Sequence, residues 1–217
     1  MNEGNHYMKK LIEKIKKIEK LVCNNFEDLE IDDPKEEGLY DEYMLVKGAT
    51  DKQIEAFEEK FGITMPEDMK ELYHYKNGSQ WFYLLFPNDK YGRDFNYRLL
   101  SLEEIEEQKE YFQNKDVLLT EFYSYEEDST KKLLEEMKDS RIKPYLHNKM
   151  WFPFAEAPGD ISLMMDFDPN DDGVYGQIIC YVHDPDEITY IAKTITEIIN
   201  DTMLNITFDE EWKNWFV

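Results

Sequence analysis

The sequence predicts an α+β fold: a mixed, largely antiparallel sheet with helices packed around it. Three observations predict it. Capped amphipathic helices occupy the first part of the chain, and strand-like apolar runs cluster after Trp151. Strands and helices do not alternate in the regular order that builds a doubly wound parallel sheet. The chain has 217 residues, 41% of them apolar and 15% aromatic, which is enough to bury a core despite 34% charged residues.

The first element is a helix over residues 7–23. Leu11, Ile15, Ile18 and Val22 recur at spacings of four, three and four. Between residues 9 and 20 six lysines face two glutamates, so the helix is basic in an acidic chain. Its stripe is aliphatic and lacks the Trp or Phe of membrane-surface helices, which favours docking on its own domain. Residues 26–48 are acidic and weakly periodic and read as a connecting segment. The organisation is therefore 1–48 as basic helix plus acidic connector, and 49–217 as the main domain with a charged insertion near 103–139.

Thr50 and Gln53 form a capping box that opens a helix carrying Ile54, Phe57 and Phe61, and Gly62 ends it in the left-handed region. Pro66 starts the next helix, with Met69, Leu72 and Tyr73 on one face, and Asn77-Gly78 closes it. Trp81–Phe86 and Tyr97–Leu100 read as strands. Ser101 and Glu104 form a second capping box before Leu102, Ile105 and Phe112. Val117–Tyr125 reads as a strand and 129–139 as a short charged helix. Trp151–Phe154, Ile161–Phe167 and Gln177–Val182 read as strands, the last two forming a hairpin across the turn Asn170–Gly176. A final helix is expected over 188–204, with Ile188, Ile191, Ala192, Ile195 and Ile199 on its face. The expected core holds Phe57, Phe61, Leu72, Trp151, Phe154, Leu163, Ile178, Ile195 and Ile199.

Forty-eight acids against 25 Lys and Arg give a net charge of −23. Such a field repels nucleic-acid phosphates and anionic membranes and attracts basic proteins. Cys23 and Cys180 are too few and too far apart for a disulfide framework or zinc site, so buried reduced thiols are expected. Charged residues interrupt any apolar signal-peptide core near the N-terminus, and no run approaches the roughly 18 apolar residues of a membrane span. A cytoplasmic protein without membrane insertion is expected.

No phosphate-binding glycine loop, nucleophile elbow or H-E-x-x-H motif is present, and the four histidines are scattered. No catalytic, cofactor-binding or metal-binding residues are assigned. Asp168-Pro169-Asn170-Asp171-Asp172-Gly173 matches the front half of a calcium loop. Position 12 is Ile179 where a bidentate Glu is required, and the flanks are strands, so a solvated turn is the reading. Asp166 and Asp168, two apart on an expected strand, face one side. With Asp171 and Asp172 on the turn, and Trp212 and Trp215 in the tail, they are the candidate partner-binding residues.

The run Thr50–Gly78, TDKQIEAFEEKFGITMPEDMKELYHYKNG, resembles the first motif of the SUKH superfamily, which includes yeast cell-wall assembly regulators and bacterial toxin-immunity proteins. Met65 stands where the family has Leu and Met69 where it has Tyr. Trp151–Asp184, WFPFAEAPGDISLMMDFDPNDDGVYGQIICYVHD, is similar to its second block, and Ile188–Ile199 to its terminal helix. These pieces cover about a third of the chain. The basic helix before residue 24 and the insertion near 103–139 depart from the pattern. The resemblance implies a single SUKH-like domain that acts by protein binding without catalysis. The leading expectation is an immunity protein that neutralises a toxin with a basic surface, such as a nuclease. The alternative is a regulatory or scaffold protein of cell-wall or signalling pathways.

Overall fold

The computed structural model describes residues 3–88, 95–122, 132, 139–183 and 186–213. Six strands form the central sheet: β1 (Tyr83–Leu85), β2 (Tyr97–Leu99), β5 (Trp151–Ala157), β6 (Ile161–Asp166), β7 (Gln177–Val182) and β8 (Glu187–Ala192), in the order β1-β2-β5-β6-β7-β8. Every neighbouring pair is antiparallel. A second, two-stranded ladder pairs β3 (Val117–Leu118) with β4 (Tyr145–His147). Pro153 lies in a central strand, where its missing N–H would break a regular ladder. The β5–β6 register shifts between Pro153 and Ala155, which is how a proline is accommodated there.

Both faces of the sheet are buried. Alternate residues of β6 and β7 divide between two cores. Leu163, Met165, Ile178, Cys180 and Val182 join Phe152 and Phe154 under the helices. Met164, Ile179 and Tyr181 join Trp151 in a second cluster with Leu119, Ile142 and Leu146. The strands therefore read as unbroken apolar runs, and all six residues of β7 are buried.

The helical layer begins with α1 (Glu3–Asn24), which packs on α7 (Ile195–Lys213), α4 (Glu67–Tyr75) and β1. Leu11, Ile15, Ile18 and Val22 are all buried in the main core, so the basic helix docks on its own chain. Lys14 donates to the Asn200 side chain of α7. Glu19 is buried in the same interface and accepts from Tyr43 at 2.7 Å and Tyr75 at 2.8 Å. Tyr43 belongs to α2 (Leu39–Leu45), a short helix within the segment expected to be a mere connector. Its ring is fully buried and stacks on Phe82 at 4.7 Å.

Both capping boxes form. Thr50 accepts from the Gln53 N–H and Gln53 reaches back to the Thr50 N–H, opening α3 (Asp51–Phe61). Ser101 and Glu104 do the same for α5 (Leu102–Tyr111). Gly62 ends α3 at φ 66°, as its position required. Pro66 stands at the N-cap, one residue ahead of α4. Eight of the nine expected core residues are buried, and Phe61 is half-buried against Phe57 and Phe152. Both cysteines are free and buried, and burial pushes the Cys23 thiol up to about 11.

Two expected elements are corrected. Residues 187–192 form the edge strand β8, and the last helix begins only at Ile195. Ile188, Ile191, Ala192 and Ile195 happen to fit a helical period. Thr189, Tyr190 and the isoleucines are nonetheless good strand formers, and pairing with β7 decides the conformation. Thr194 starts α7, its hydroxyl accepting from the Glu197 N–H at 3.3 Å. The expected strand Val117–Tyr125 is strand for two residues, then turns into α6 (Leu119–Phe122), whose Leu119 enters the second core. The helix expected over 129–139 lies outside the described residues, apart from Lys132 and Asp139.

If the second core contributes to stability, Leu146→Ala destabilises the fold by about 2–5 kcal/mol. Thr50→Ala costs about 1 kcal/mol, because only a cap is lost. Urea denaturation of both variants checks this, and a near-neutral Leu146→Ala contradicts a packed second face.

Candidate functional site

The Asp-rich segment after β6 is built as a folded platform. Asp166 ends β6, on the second face, opposite Trp151 on one side and Gln177 on the other. It has no solvent exposure. Its carboxylate accepts from the Asp168 N–H at 2.9 Å and from Gln177 Nε2 at 2.9 Å. The Trp151 indole N–H makes no hydrogen bond of good geometry, yet it is near enough to favour the charged carboxylate. Burial wins over these donors and pushes the Asp166 carboxyl up to about 6.

Asp168 lies beyond the strand end and is half-buried, paired with Lys143 and accepting from Asn148 at 3.0 Å. It therefore does not share a strand face with Asp166, and Asp166 offers no surface to a partner. Asp171 and Asp172 are exposed on the turn, beside exposed Val174 and Tyr175. The turn is held by the Asn170 N–H on the Arg141 carbonyl at 3.0 Å. Gly173 passes so close that a Cβ there would meet the Arg141 oxygen at 2.4 Å. Trp212 falls in the last turn of α7, and its side chain, like all of Trp215, lies outside the described residues. Among the described residues, no three His, Cys, Asp or Glu side chains converge as a metal site would require. Also among the described residues, no helix is long and apolar enough to cross a membrane.

A cleft of about 890 Å³ lies elsewhere on the same side of the sheet, between α5, the β5–β6 turn and the end of β7. Rings make its floor: Phe112 lies 5.2 Å from Tyr181 and 5.4 Å from His147. Burial holds the His147 imidazole below its ordinary value, toward the neutral form. Asp186 accepts from the Tyr181 hydroxyl at 2.6 Å and contacts His183 Nδ1 at 3.1 Å. His183 is exposed on this rim. On the opposite rim Glu156 accepts from Arg98 and from Gln108.

Lys109, on the buried side of α5, fixes this wall. Its ammonium donates to the carbonyls of Gln113, Lys149 and Trp151 and lies 4.3 Å from the centre of the Phe152 ring. Burial pulls its pKa down to about 7, against the opposing pull of the Asp116 carboxylate. Nothing in the spacing of the sequence announces the cleft, because its residues come from five separated segments. The isolated aromatics Tyr111 and Phe112 at the end of an acidic helix were the only local signal.

Residues 48–201 match the model of the SMI1/KNR4 family (SUKH-1). The chain belongs to this family. The match spans α3 through the first turns of α7, and so includes the second core, the cleft and most of the main core, while α1 and α2 lie outside it. The chain is also similar to "Cell wall biosynthesis/cell cycle regulator smi1" of Schizosaccharomyces pombe, at 24% identity over 200 residues. That alignment covers 86% of this chain and 36% of the relative, so the chain spans about a third of the relative's length. The SUKH group holds both toxin-immunity proteins and Smi1-type cell-wall regulators.

The raised pKa of Asp166 has a consequence for stability. The folded state holds this proton more tightly than the unfolded chain does. Its stabilising contribution is full below about pH 4 and is lost as pH rises through about 6. Asp166→Asn removes that dependence. The stability difference between variant and wild type is expected to change by on the order of 3 kcal/mol between pH 4 and pH 7. A difference that stays constant across that range contradicts the buried-carboxylate account.

Proposed function

We propose that this SUKH domain is a non-enzymatic protein-binding module that neutralises a bacterial toxin with a basic surface. The observation that carries the reading is the net charge of −23 on a SUKH fold. A toxin that acts on nucleic acid presents a basic cleft, and an acidic protein reaches such a cleft by fast, steered association. The exposed acids Asp171 and Asp172 are one such surface. The domain would do this in the cytoplasm, where the toxin would otherwise act. A second reading is favoured by one observation, the relative named as a cell-wall and cell-cycle regulator. On that reading the domain would dock regulatory partners.

The test begins with the genes beside the one that encodes this chain. A neighbouring toxin is co-expressed with it and the growth of the host is measured. The toxin alone should arrest growth, and co-expression should restore it. For the purified pair, association should slow about tenfold or more between 50 and 500 mM salt. Asp171→Asn with Asp172→Asn should reduce that salt dependence if the turn takes part. No rescue by co-expression, together with a salt-insensitive rate, would overturn the reading in favour of a regulator.

A further inference from the structure

We propose that the cleft between α5, the β5–β6 turn and the end of β7 is the docking pocket for an arginine- or lysine-bearing segment of a protein partner. This deepens the protein-binding reading and rests on it. Four carboxylates line the cleft, from Glu107, Glu156, Asp160 and Asp186, and among its described residues there is no lysine or arginine. Glu156 is already matched by Arg98, so Glu107 and Asp160 carry most of the uncompensated negative charge toward the opening.

Aromatic surface supplies the second half of the argument. Tyr111 is 87% exposed, although large aromatics are usually covered, and it lines the cleft together with Phe112 and Tyr181. A cation over an aromatic face with carboxylates nearby gains both ring attraction and charge pairing. Exposed tyrosines and partner arginines are also the residue types that dominate binding energies at interfaces. The Asp171–Asp172 turn has charge but is convex, whereas the cleft has charge, rings and concavity together. The rigid base needed for such a pocket is present. Lys109 ties α5 to the start of β5, and the His183 N–H on the Asp160 carbonyl at 3.2 Å ties the hairpin turn to β7.

The experiment uses the full chain labelled with ¹⁵N and an N-acetylated five-residue peptide alternating glycine and arginine. The citrulline version of the peptide is the control, because it keeps the shape and loses the charge. Amide shifts should concentrate at residues 108–112, 157–162 and 181–183, and the citrulline peptide should bind at least about tenfold more weakly. Tyr111→Ala should weaken arginine-peptide binding by at least about threefold. Asp160→Asn should do the same, and asparagine tolerates the positive φ of 57° at that position. Because Tyr111 is so exposed, Tyr111→Ala should melt within a degree or two of wild type. Equal binding of the two peptides overturns the proposal. So does unchanged binding by both variants, no binding at millimolar peptide, or shifts centred on residues 168–172. None of these results bears on whether a toxin is neutralised, which the co-expression test decides separately.

Discussion

Everything in this fold depends on the burial of one antiparallel sheet on both of its faces. A sheet with one wet face would alternate apolar and polar residues, and β7 does not: Gln177–Val182 are all buried. Each face therefore needs its own cover. The helices α1, α3, α4 and α7 supply one. Leu119, Ile142 and Leu146 supply much of the other, and they carry the ends of a charge-rich part of the sequence into the core. Asp166 and Gln177 are the polar cost of closing that second face. They answer each other across the β6–β7 register, leaving the exposed acids of the turn on a firm base.

The same constraint explains why charged side chains are buried at the junctions between layers. Lys76 places its ammonium on the carbonyls of Tyr43, Met44 and Val46, where the end of α2 has carbonyls to satisfy. Lys109 does the equivalent between α5 and β5. Arg98 joins Glu104 of α5 to Glu156 of β5 and lies 4.6 Å from the centre of the Trp81 ring. A buried charge without such partners would cost several kcal/mol, so each cage holds its element in one place. The consequence for the cleft is that buried charges tie its walls together while carboxylates remain on its rim.

Much of this was legible in the sequence where local chemistry decides. Thr50 with Gln53, Ser101 with Glu104, and Gly62 act within one helical turn, and they behave as read. The strands at Trp151, Ile161 and Gln177 were legible because their apolar runs are short and bounded by turn residues. Ile188–Ala192 was misread because five residues fit two periods, and only the neighbouring β7 strand chooses between them. α2 was missed because its one buried anchor, Tyr43, finds Glu19 and Phe82 only in three dimensions. Of the candidate site, Asp171 and Asp172 were read as exposed and are. The burial of Asp166 depends on Trp151 and Gln177, which no local pattern brings beside it. The cleft assembles from α5, a hairpin turn and two strand ends, and spacing along the chain cannot show that.

The central claim is that the segment covering the second face is an integral layer of the fold. Amide hydrogen exchange followed by mass spectrometry tests it most directly. The account predicts that peptides spanning β6 and β7 exchange only through global unfolding, and that the stretch from Ile142 to His147 slows with them. Rapid exchange of Ile142–His147 while β7 stays protected would contradict it, because the second face would then be covered only by a loosely held loop.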